Sequence, residues 1–406
     1  MKRYSFDFFS IRNYLLLLSV LLMLGCDIGD NVINTDASFL RIYDDSQFDG
    51  SYIPLDIQQT EDEGYLILAG KRIEESNFIG IQVLKLDKEG GFEGITTIET
   101  EYVHPIGEFL KTDEGYFFFC MHAISLQAHI IAIDADGSLL STTPIANTFY
   151  PLAAGLADNG KFILQSYDNM DKRSVASIVG PDGKVGARQS FGIGAGEDVE
   201  KPIIEHFTRT GRQLPFRAGK ASNGLFYFNG FFNYTFSLVF TDLNNSSPNG
   251  VVQGQQDDGG MSAILPVEGG KFAAARFNFG DNYILPHADI ASQGISSSVD
   301  LGGLSVPELL PDAKVVLKEV VINGKATILY ATNTRSGQIL LLAYDSLTGE
   351  LRGTRYLGFS NPYEIASFVQ TEDEGLAVAA LTYVAGRFPR VGLIKLSKEE
   401  LADFGS

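Results

Sequence analysis

The five histidines of the 406-residue chain are the first residues to consider for metal or acid–base chemistry. They are His104, His122, His129, His206 and His287. None forms an HxH or HExxH pair, and the two cysteines, Cys26 and Cys120, are far apart in sequence. A zinc site needs three or four such ligands at close spacing. The sequence therefore predicts no metal site, and it predicts that His122 and His129 lie on solvent-exposed loops.

Other motifs of catalytic or ligand-binding type are incomplete. Residues 134–137 (DADG) are half of a calcium loop without its downstream glutamate, so we interpret them as a turn. The glycines of GIGAGED (192–198) have no predicted helix after them to present to a phosphate, so this segment is predicted to be a loop. There is no GxSxG motif and no SxxK motif in a helical segment. The sequence predicts no catalytic residue and no cofactor.

A polar segment at residues 192–216 carries the best candidates for ligand contact. His206, Arg209 and Arg212 lie in it, with Arg217 immediately after it. Arginine forms bidentate pairs with carboxylates, so these side chains would suit an acidic sugar. A long insertion in a compact domain is either a functional loop or a tolerated excursion, and both readings stay open. We predict His206, Arg209 and Arg212 as ligand-binding residues.

The segment GLFYFNGFFNYTF (224–236) contains seven aromatic residues among thirteen. Exposed rings would form a stacking platform for sugars or a protein contact site. Buried rings with alternating orientation would be core packing in a hairpin that turns at Asn229 and Gly230. Tryptophan is absent from the chain, so we favour core packing.

The placement of all these residues depends on an internal repeat, in which an acidic or Asn-Gly turn separates two apolar runs. The clearest copies are TEDEGYLILAG (60–70) and TEDEGLAVAAL (371–381). Asx-Gly and Glu-Gly pairs supply the positive φ of tight turns, so each copy predicts a β-hairpin. Seven copies, 45 to 64 residues apart, centre on Gly64, Gly115, Gly160, Gly224, Gly270, Gly324 and Gly375.

Each hairpin is followed by a third strand with its own turn, such as VLKLDKEGG (83–91), and generally by a short fourth run. Four short strands at this period are typical of propeller blades. The last unit lacks a clear fourth strand, whereas SFLRIYDDSQF (38–48) is a strand left over before the first unit. We therefore predict an all-β fold, a β-propeller of seven four-stranded blades. Its N-terminal strand, at 39–43, would complete the last blade and remove two exposed edges.

The two best copies resemble a family of bacterial propeller repeats. DIQQTEDEGYLILAG…GIQVLKLDKEGGFEG and FVQTEDEGLAVAAL…RVGLIKLSKEE are similar to the delta-60 type, with a consensus like T-x-D-G-G-Y-hydrophobic-A-G…LIKLDxxG. The resemblance is close in these two units, moderate in the second and third, and weak from 191 to 350. It implies a propeller scaffold and no single activity.

The N-terminus has the features of an export signal. Three basic residues precede the apolar run YLLLLSVLLML (14–24), which is too short to span a bilayer. The run ends in MLGC, which resembles the lipobox of bacterial lipoproteins with Met23 in place of the usual leucine. The resemblance implies that Cys26 carries the lipid. The predicted parts of the chain are a lipoprotein signal peptide (1–25), a short tether (26–37) and a single β-propeller domain (38–406).

Composition restricts the partners. The formal net charge is −19 and no basic stretch is dense enough to follow a phosphate backbone, so nucleic acid is not an expected partner. One hypothesis is a non-catalytic propeller, held at the bacterial outer membrane through Cys26, that binds a protein, peptide or glycan. The alternative is a hydrolase or lyase of extracellular polysaccharide that uses carboxylates, or His206 and the nearby arginines. The third hypothesis is that the protein is a purely structural component of the envelope. We favour binding, because it needs only an anchor, a rigid ring and variable loops.

Overall fold

Apolar runs alternate with polar turns along the chain, and these runs form β-strands of two to eleven residues in the described parts of the chain. The computed structural model describes residues 38–44, 50–358, 361–384 and 388–404. The predicted signal peptide, Cys26 and the tether lie outside these residues. The middle strands, such as Tyr65–Arg72, are almost entirely buried because sheets pack on both of their faces. No helix of the described residues is long and apolar enough to cross a membrane.

The described strands form seven sheets, which we call blades 1 to 7 in chain order. Blade 1 consists of β2 (Tyr52–Gln59), β3 (Tyr65–Arg72), β4 (Ile79–Leu86) and β5 (Phe92–Thr97). Blade 2 consists of β6 (Tyr102–Val103), β7 (Leu110–Thr112), β8 (Gly115–His122), β9 (Gln127–Ile133) and β10 (Leu139–Phe149). Blade 3 consists of β11 (Pro151–Leu156), β12 (Phe162–Asp168), β13 (Arg173–Val179) and β14 (Val185–Gly192).

The second half of the ring follows the same plan after one helix, α1 (Glu197–His206). Blade 4 consists of β15 (Arg217–Lys220), β16 (Phe226–Phe232), β17 (Thr235–Thr241), β18 (Gly250–Gln253) and β22 (Gly294–Ser297). Blade 5 consists of β19 (Gly259–Pro266), β20 (Phe272–Asn278), β21 (Asp281–Ala288) and β23 (Leu304–Ser305). Blade 6 consists of β24 (Val315–Ile322), β25 (Lys325–Asn333), β26 (Ile339–Asp345) and β27 (Leu351–Leu357).

The ring closes between the two ends of the chain. Blade 7 consists of β28 (Tyr363–Gln370), β29 (Leu376–Val384), β30 (Phe388–Leu396) and β1 (Phe39–Ile42), and a helix α2 (Lys398–Phe404) follows it. β1 pairs antiparallel with β30, with Phe39 opposite Lys395 and Ile42 opposite Gly392. The predicted seven-bladed propeller, closed by its N-terminal strand, is confirmed.

Two blades depart from four strands. In blade 2 the innermost strand is broken into two segments, β6 and β7. Both segments pair antiparallel with β8. In blade 4 the strand β22, which comes from the connection within blade 5, pairs in parallel with β18. The break in blade 2 matters for function because residues 104–109 then leave the sheet and face the centre of the ring.

The repeated TEDEG turn forms an ion pair with a neighbouring strand of the same blade. Lys85 of β4 donates to Thr60 and to both carboxylate oxygens of Asp62 at 2.7 to 2.9 Å. Lys395 of β30 pairs with Asp373 in the same way. The positive φ in the two copies belongs to Glu63 and Glu374, the first residue of each Glu-Gly pair. The recurring sequence therefore encodes a contact between the first turn and the third strand of a blade.

Three local predictions are wrong. His129 is a buried residue of β9, and His122 is the half-buried last residue of β8, so neither is an exposed loop histidine. The hairpin of the aromatic segment turns at Asn233 and Tyr234, four residues beyond the predicted position, although most of its rings are buried as expected. A helix, α1, does follow the glycines of 192–198. Its apolar residues at intervals of four, Val199, Ile203 and Phe207, are buried and supply the helical periodicity.

Candidate functional site

The innermost strands of the blades surround a central channel with a cavity of about 990 Å³. This volume is at the upper end of the range for small-molecule pockets. Charged side chains from several blades line the channel. They include Asp56, Glu108, Arg217, Lys314 and Lys318, which we call the channel cluster.

Asp56 and Lys318 form one neutralised pair. Asp56 is 3 % exposed, and one of its carboxylate oxygens accepts a hydrogen bond of 2.7 Å from the backbone N–H of Phe109. The other oxygen lies 3.6 Å from Lys318 Nζ. A buried carboxylate is stable only with such partners. This pair joins blade 1 to blade 6 across the channel and ties down the broken strand of blade 2.

Glu108 and Arg217 form a second, looser pair. The guanidinium Nη1 of Arg217 lies 3.9 Å from Glu108 Oε1, beyond hydrogen-bonding distance. Burial within the ring raises the pKa of Glu108 to about 7, with Arg217 opposing the shift and Asp56 adding to it. The carboxyl still touches channel solvent, since about a third of its side-chain surface is open. Near neutral pH this group exchanges its proton readily.

Within the channel cluster, Lys314 is the cation that has no ion-pair partner among the described residues. Desolvation by the channel wall lowers its pKa to about 8, and Arg217 lowers it further while Asp56 and Glu108 oppose the shift, although the residue stays open to channel solvent. Its side chain reaches the lumen and lines the same cavity as the two pairs. The cluster thus holds three basic groups against two carboxylates, one of which titrates near pH 7.

Neutral hydrogen-bonding groups lie beside the charged ones. Tyr227 of β16 lines the channel, and burial raises its pKa. It packs against Gly219, where a Cβ would lie 2.4 Å from the tyrosine hydroxyl. Ser262 of β19 also lines the channel, is 4 % exposed, and its hydroxyl has no hydrogen-bond partner within the described part of the chain. A buried hydroxyl normally has a partner, so this one is available to a ligand.

The predicted insertion crosses one end of the channel. We call residues 197–216, which comprise α1 and the loop after it, the cap. Arg209 N–H donates to the carbonyl of Asn77 in blade 1 at 2.7 Å, and the His206 ring lies 5.4 Å from that of His104 in blade 2. The cap therefore contacts blade 2, next to the strand that it leaves, and blade 1 beyond it.

Arg212 fixes the other side of the cap. Its guanidinium lies 3.2 Å from Asp257, in the connection between blades 4 and 5. It also lies 3.0 Å from Asp312, in the connection between blades 5 and 6. Asp258 is 3.7 Å away. The three carboxylates hold the loop across the mouth of the channel.

The predicted ligand-binding residues fall at the cap rather than in the cluster. His206 and Arg212 line the channel near its mouth. Arg209 Nε is buried and has no hydrogen-bond partner in the part of the chain described here. Whether these three residues contact a ligand stays a prediction.

His206 acts within the cap as a neutral acceptor. Its Nδ1 accepts a hydrogen bond of 3.0 Å from the N–H of Leu214. Burial lowers the pKa of His206 well below 6.5, and His104 and Arg217 lower it further. The ring also packs edge-on against Phe216 at 4.8 Å. These contacts fold the loop of the cap back onto α1.

Sequence reasoning missed the channel cluster although a signal for it exists. Asp56, Glu108, Arg217 and Lys318 each precede the turn glycine of their repeat by six to eight residues. That position is the innermost strand, where a charged residue is unusual unless it faces a lumen. Aligning the repeats by their glycines would have brought these residues into three adjacent columns.

Comparisons with known proteins give the fold alone. No family model and no curated protein matches the chain. The solved structures that match include a periplasmic gluconolactonase from Pseudomonas aeruginosa, 13% identical with a TM-score of 0.48, over 82% of this chain and 96% of that one. Another is the β-propeller domain of the Trilobed protease from Pyrococcus furiosus, 10% identical with a TM-score of 0.46, over 87% and 97%.

A third match is the Dos1 propeller, 10% identical with a TM-score of 0.45, over 85% and 92%. Identities and scores this low say nothing about ligand or activity. The strand pairing of the described residues, and not any relative, identifies the chain as a seven-bladed β-propeller.

Proposed function

We propose that this protein is a lipid-anchored, non-catalytic β-propeller of the bacterial envelope that binds a peptide, protein or glycan in its central channel. The observation that supports the proposal is the channel cluster, in which charged side chains from blades 1, 2, 4 and 6 face one cavity of about 990 Å³. Ligand sites of this kind are concave and carry a few convergent polar groups. The rigid ring holds these groups in place before a ligand arrives, which reduces the entropy lost on binding.

The anchor is tested by metabolic labelling with a palmitate analogue. We expect the full-length chain to incorporate the label and the Cys26→Ala variant to lose it. Cys120→Ala is the matched control, because Cys120 is buried and is not expected to carry lipid. Label that persists in Cys26→Ala contradicts the anchor.

Binding is tested on the mature protein in detergent micelles, by the rise in Tm with a library of envelope glycans and short peptides. A ligand present at 100 times its Kd raises the free energy of unfolding by about 2.7 kcal/mol. We expect at least one ligand whose effect is reduced in Lys314→Met and retained in the surface control Lys161→Met. If no ligand depends on Lys314, the channel is not the site.

A hydrolase or lyase is the second candidate, and one observation favours it. The pKa values of about 7 for Glu108 and about 8 for Lys314 bring an acid and a base into the range where both transfer protons at neutral pH. Release of new reducing ends or unsaturated sugars from acidic polysaccharide, abolished in Glu108→Gln, would establish catalysis. Binding of such a polymer without any product favours the first candidate.

A further inference from the structure

The channel cluster consists of three basic groups and two carboxylates, and Arg212, Asp312, Glu319 and Glu364 also line the same cavity. Asp56 is neutralised by Lys318 and by the N–H of Phe109. One carboxyl, that of Glu108, is left to face both Arg217 and Lys314. Resting on the function proposed above, we infer that the channel binds its ligand through a carboxylate group, held between Arg217 and Lys314 with the hydroxyl of Ser262 as a further donor.

Arg217 keeps most of its donors for a ligand. Of its five N–H groups, one donates to the carbonyl of Phe216 at 3.1 Å. The nearest carboxylate, that of Glu108, is 3.9 Å away and forms no hydrogen bond with it. A planar guanidinium with free N–H groups binds a carboxylate by two parallel hydrogen bonds.

Lys314 and Ser262 supply an independent reason to expect an anion. The ammonium of Lys314 is inside the ring without an ion-pair partner among the described residues. The hydroxyl of Ser262 is buried and without a partner, which is costly unless a ligand or solvent satisfies it. A solvent-exposed ammonium from blade 6 and a buried hydroxyl from blade 5, neither with a partner among the described residues, therefore line the same cavity.

A carboxylate fits this site better than a phosphate. A phosphate monoester carries nearly two negative charges at pH 7 and would lie beside Asp56 and Glu108. A carboxylate carries one charge, and the protonated form of Glu108 can donate a hydrogen bond to it. The acid residue of a uronic-acid glycan and the C-terminus of a peptide share this chemistry, so the test has an arm for each.

The experiment measures affinity calorimetrically with the mature protein in detergent micelles. One arm compares trigalacturonate with its neutral counterpart trigalactose, and the other compares a tripeptide with its C-terminal amide. We expect the charged member of one pair to bind at least 10-fold more tightly than its neutral partner. Lys314→Met should weaken that binding at least 10-fold, and Arg217→Lys should weaken it while keeping the charge. Lys161→Met, an exposed lysine remote from the channel, should leave it unchanged.

The affinity should also depend on pH. As the pH rises from 6 to 8, Glu108 and Lys314 lose protons and the carboxylate should bind more weakly. The other groups that face them are Asp56, Arg217, Lys318 and Tyr227. Glu108→Gln, which cannot ionise, should flatten this dependence near pH 7. A dependence that is unchanged in Glu108→Gln speaks against the inference.

Two results overturn the inference. One is equal affinity for the charged and neutral members of both pairs, and the other is carboxylate binding that Lys314→Met leaves intact. If Lys314→Met weakens charged and neutral ligands alike, the inference fails while the proposed binding function stands. If no library ligand depends on Lys314, the proposed function fails as well.

Discussion

At the scale of single residues, Gly64 shows how the repeat controls packing. A Cβ at this position would lie 2.5 Å from the carbonyl oxygen of Leu86 and 3.0 Å from Lys85 Nζ. Gly375 has the same surroundings in blade 7, with Leu396 and Lys395. Because the carbonyl belongs to a paired strand, it cannot move away. The glycine is needed for this close approach, and the residue before it takes the positive φ.

Gly64→Ala is expected to lower the free energy of unfolding by about 1–3 kcal/mol, the usual cost of overpacking. The matched control is Gly94→Ala in the outer strand β5, where nothing lies within 4 Å of the added Cβ and φ is not positive. That change should be neutral, or stabilise by about 0.4–1 kcal/mol through the unfolded state. Chemical denaturation of both variants checks the difference, and equal stabilities would refute the explanation.

The acid side of the stability profile depends on buried histidines. Burial lowers the pKa of His104 to about 4 and that of His206 well below its usual 6.5. Groups with lowered pKa contribute stability above their unfolded pKa and lose it as the pH falls, here from 6.5 towards 4. A protonated His206 can no longer accept the hydrogen bond of Leu214. The cap should therefore loosen on the acid side.

We expect Tm to fall between pH 7 and 4.5, and to fall less in His206→Gln. Glu108→Gln provides a check of opposite sign. Its raised pKa of about 7 gives stability below pH 4.5 that is lost as the pH rises towards 7. The Glu108→Gln variant lacks this contribution, so its Tm should fall more steeply than that of the unmodified protein as the pH falls from 7 to 4.5. Thermal unfolding across this pH range measures Tm for the unmodified protein, His206→Gln and Glu108→Gln. Parallel profiles of Tm against pH would show that neither side chain contributes to the pH dependence.

At the scale of elements, the cap is a helix and loop held by a few polar contacts. Buried apolar side chains of α1 attach one half of it to blades 3 and 4. The loop half depends on the ion pairs of Arg212 with Asp257 and Asp312, which are partly exposed. Half-exposed pairs contribute about 1 kcal/mol or less. Opening of the loop should therefore be local and easier than unfolding of any blade.

Arg212→Met should increase the hydrogen-exchange rate of residues 207–214 by about 5-fold, the equivalent of about 1 kcal/mol. The rates of the blade strands and the Tm should change little. Lys161→Met, on the turn of blade 3, is the control and should leave the cap unchanged. Unchanged exchange of the cap in Arg212→Met would mean that the ion pairs do not hold it.

At the scale of the whole molecule, closure of the ring depends on β1. β1 pairs with β30 of blade 7. The next residue, Tyr43, is buried, and its hydroxyl donates to the carbonyl of Gly90 in blade 1 at 2.9 Å. Ser397 N–H donates to Ser38 Oγ at 3.0 Å. These contacts join the first segment of the fold to two blades. Without them β30 would be an exposed edge strand.

A chain that begins at Ser51 should lose about 3 kcal/mol or more of stability and tend to aggregate, because it lacks β1 and the buried Tyr43. A chain that begins at Ser38 should keep the Tm of the mature protein. Thermal unfolding and size-exclusion chromatography compare the two. Equal behaviour of both chains would contradict closure by β1.

Lipidation of Cys26 and ligand contact by His206, Arg209 and Arg212 remain predictions. The sequence alone determined the seven-bladed ring and its closure, because each blade is a local hairpin unit whose turns and alternating apolar residues repeat along the chain. Only the tertiary structure decided which side chains share the channel. Asp56, Glu108, Arg217, Lys314 and Lys318 come from blades far apart in sequence, and only closure of the ring brings their innermost strands together around one cavity. The cap was likewise decided in three dimensions, since Asn77 lies 132 residues before its partner Arg209 and Asp312 lies 100 residues after its partner Arg212.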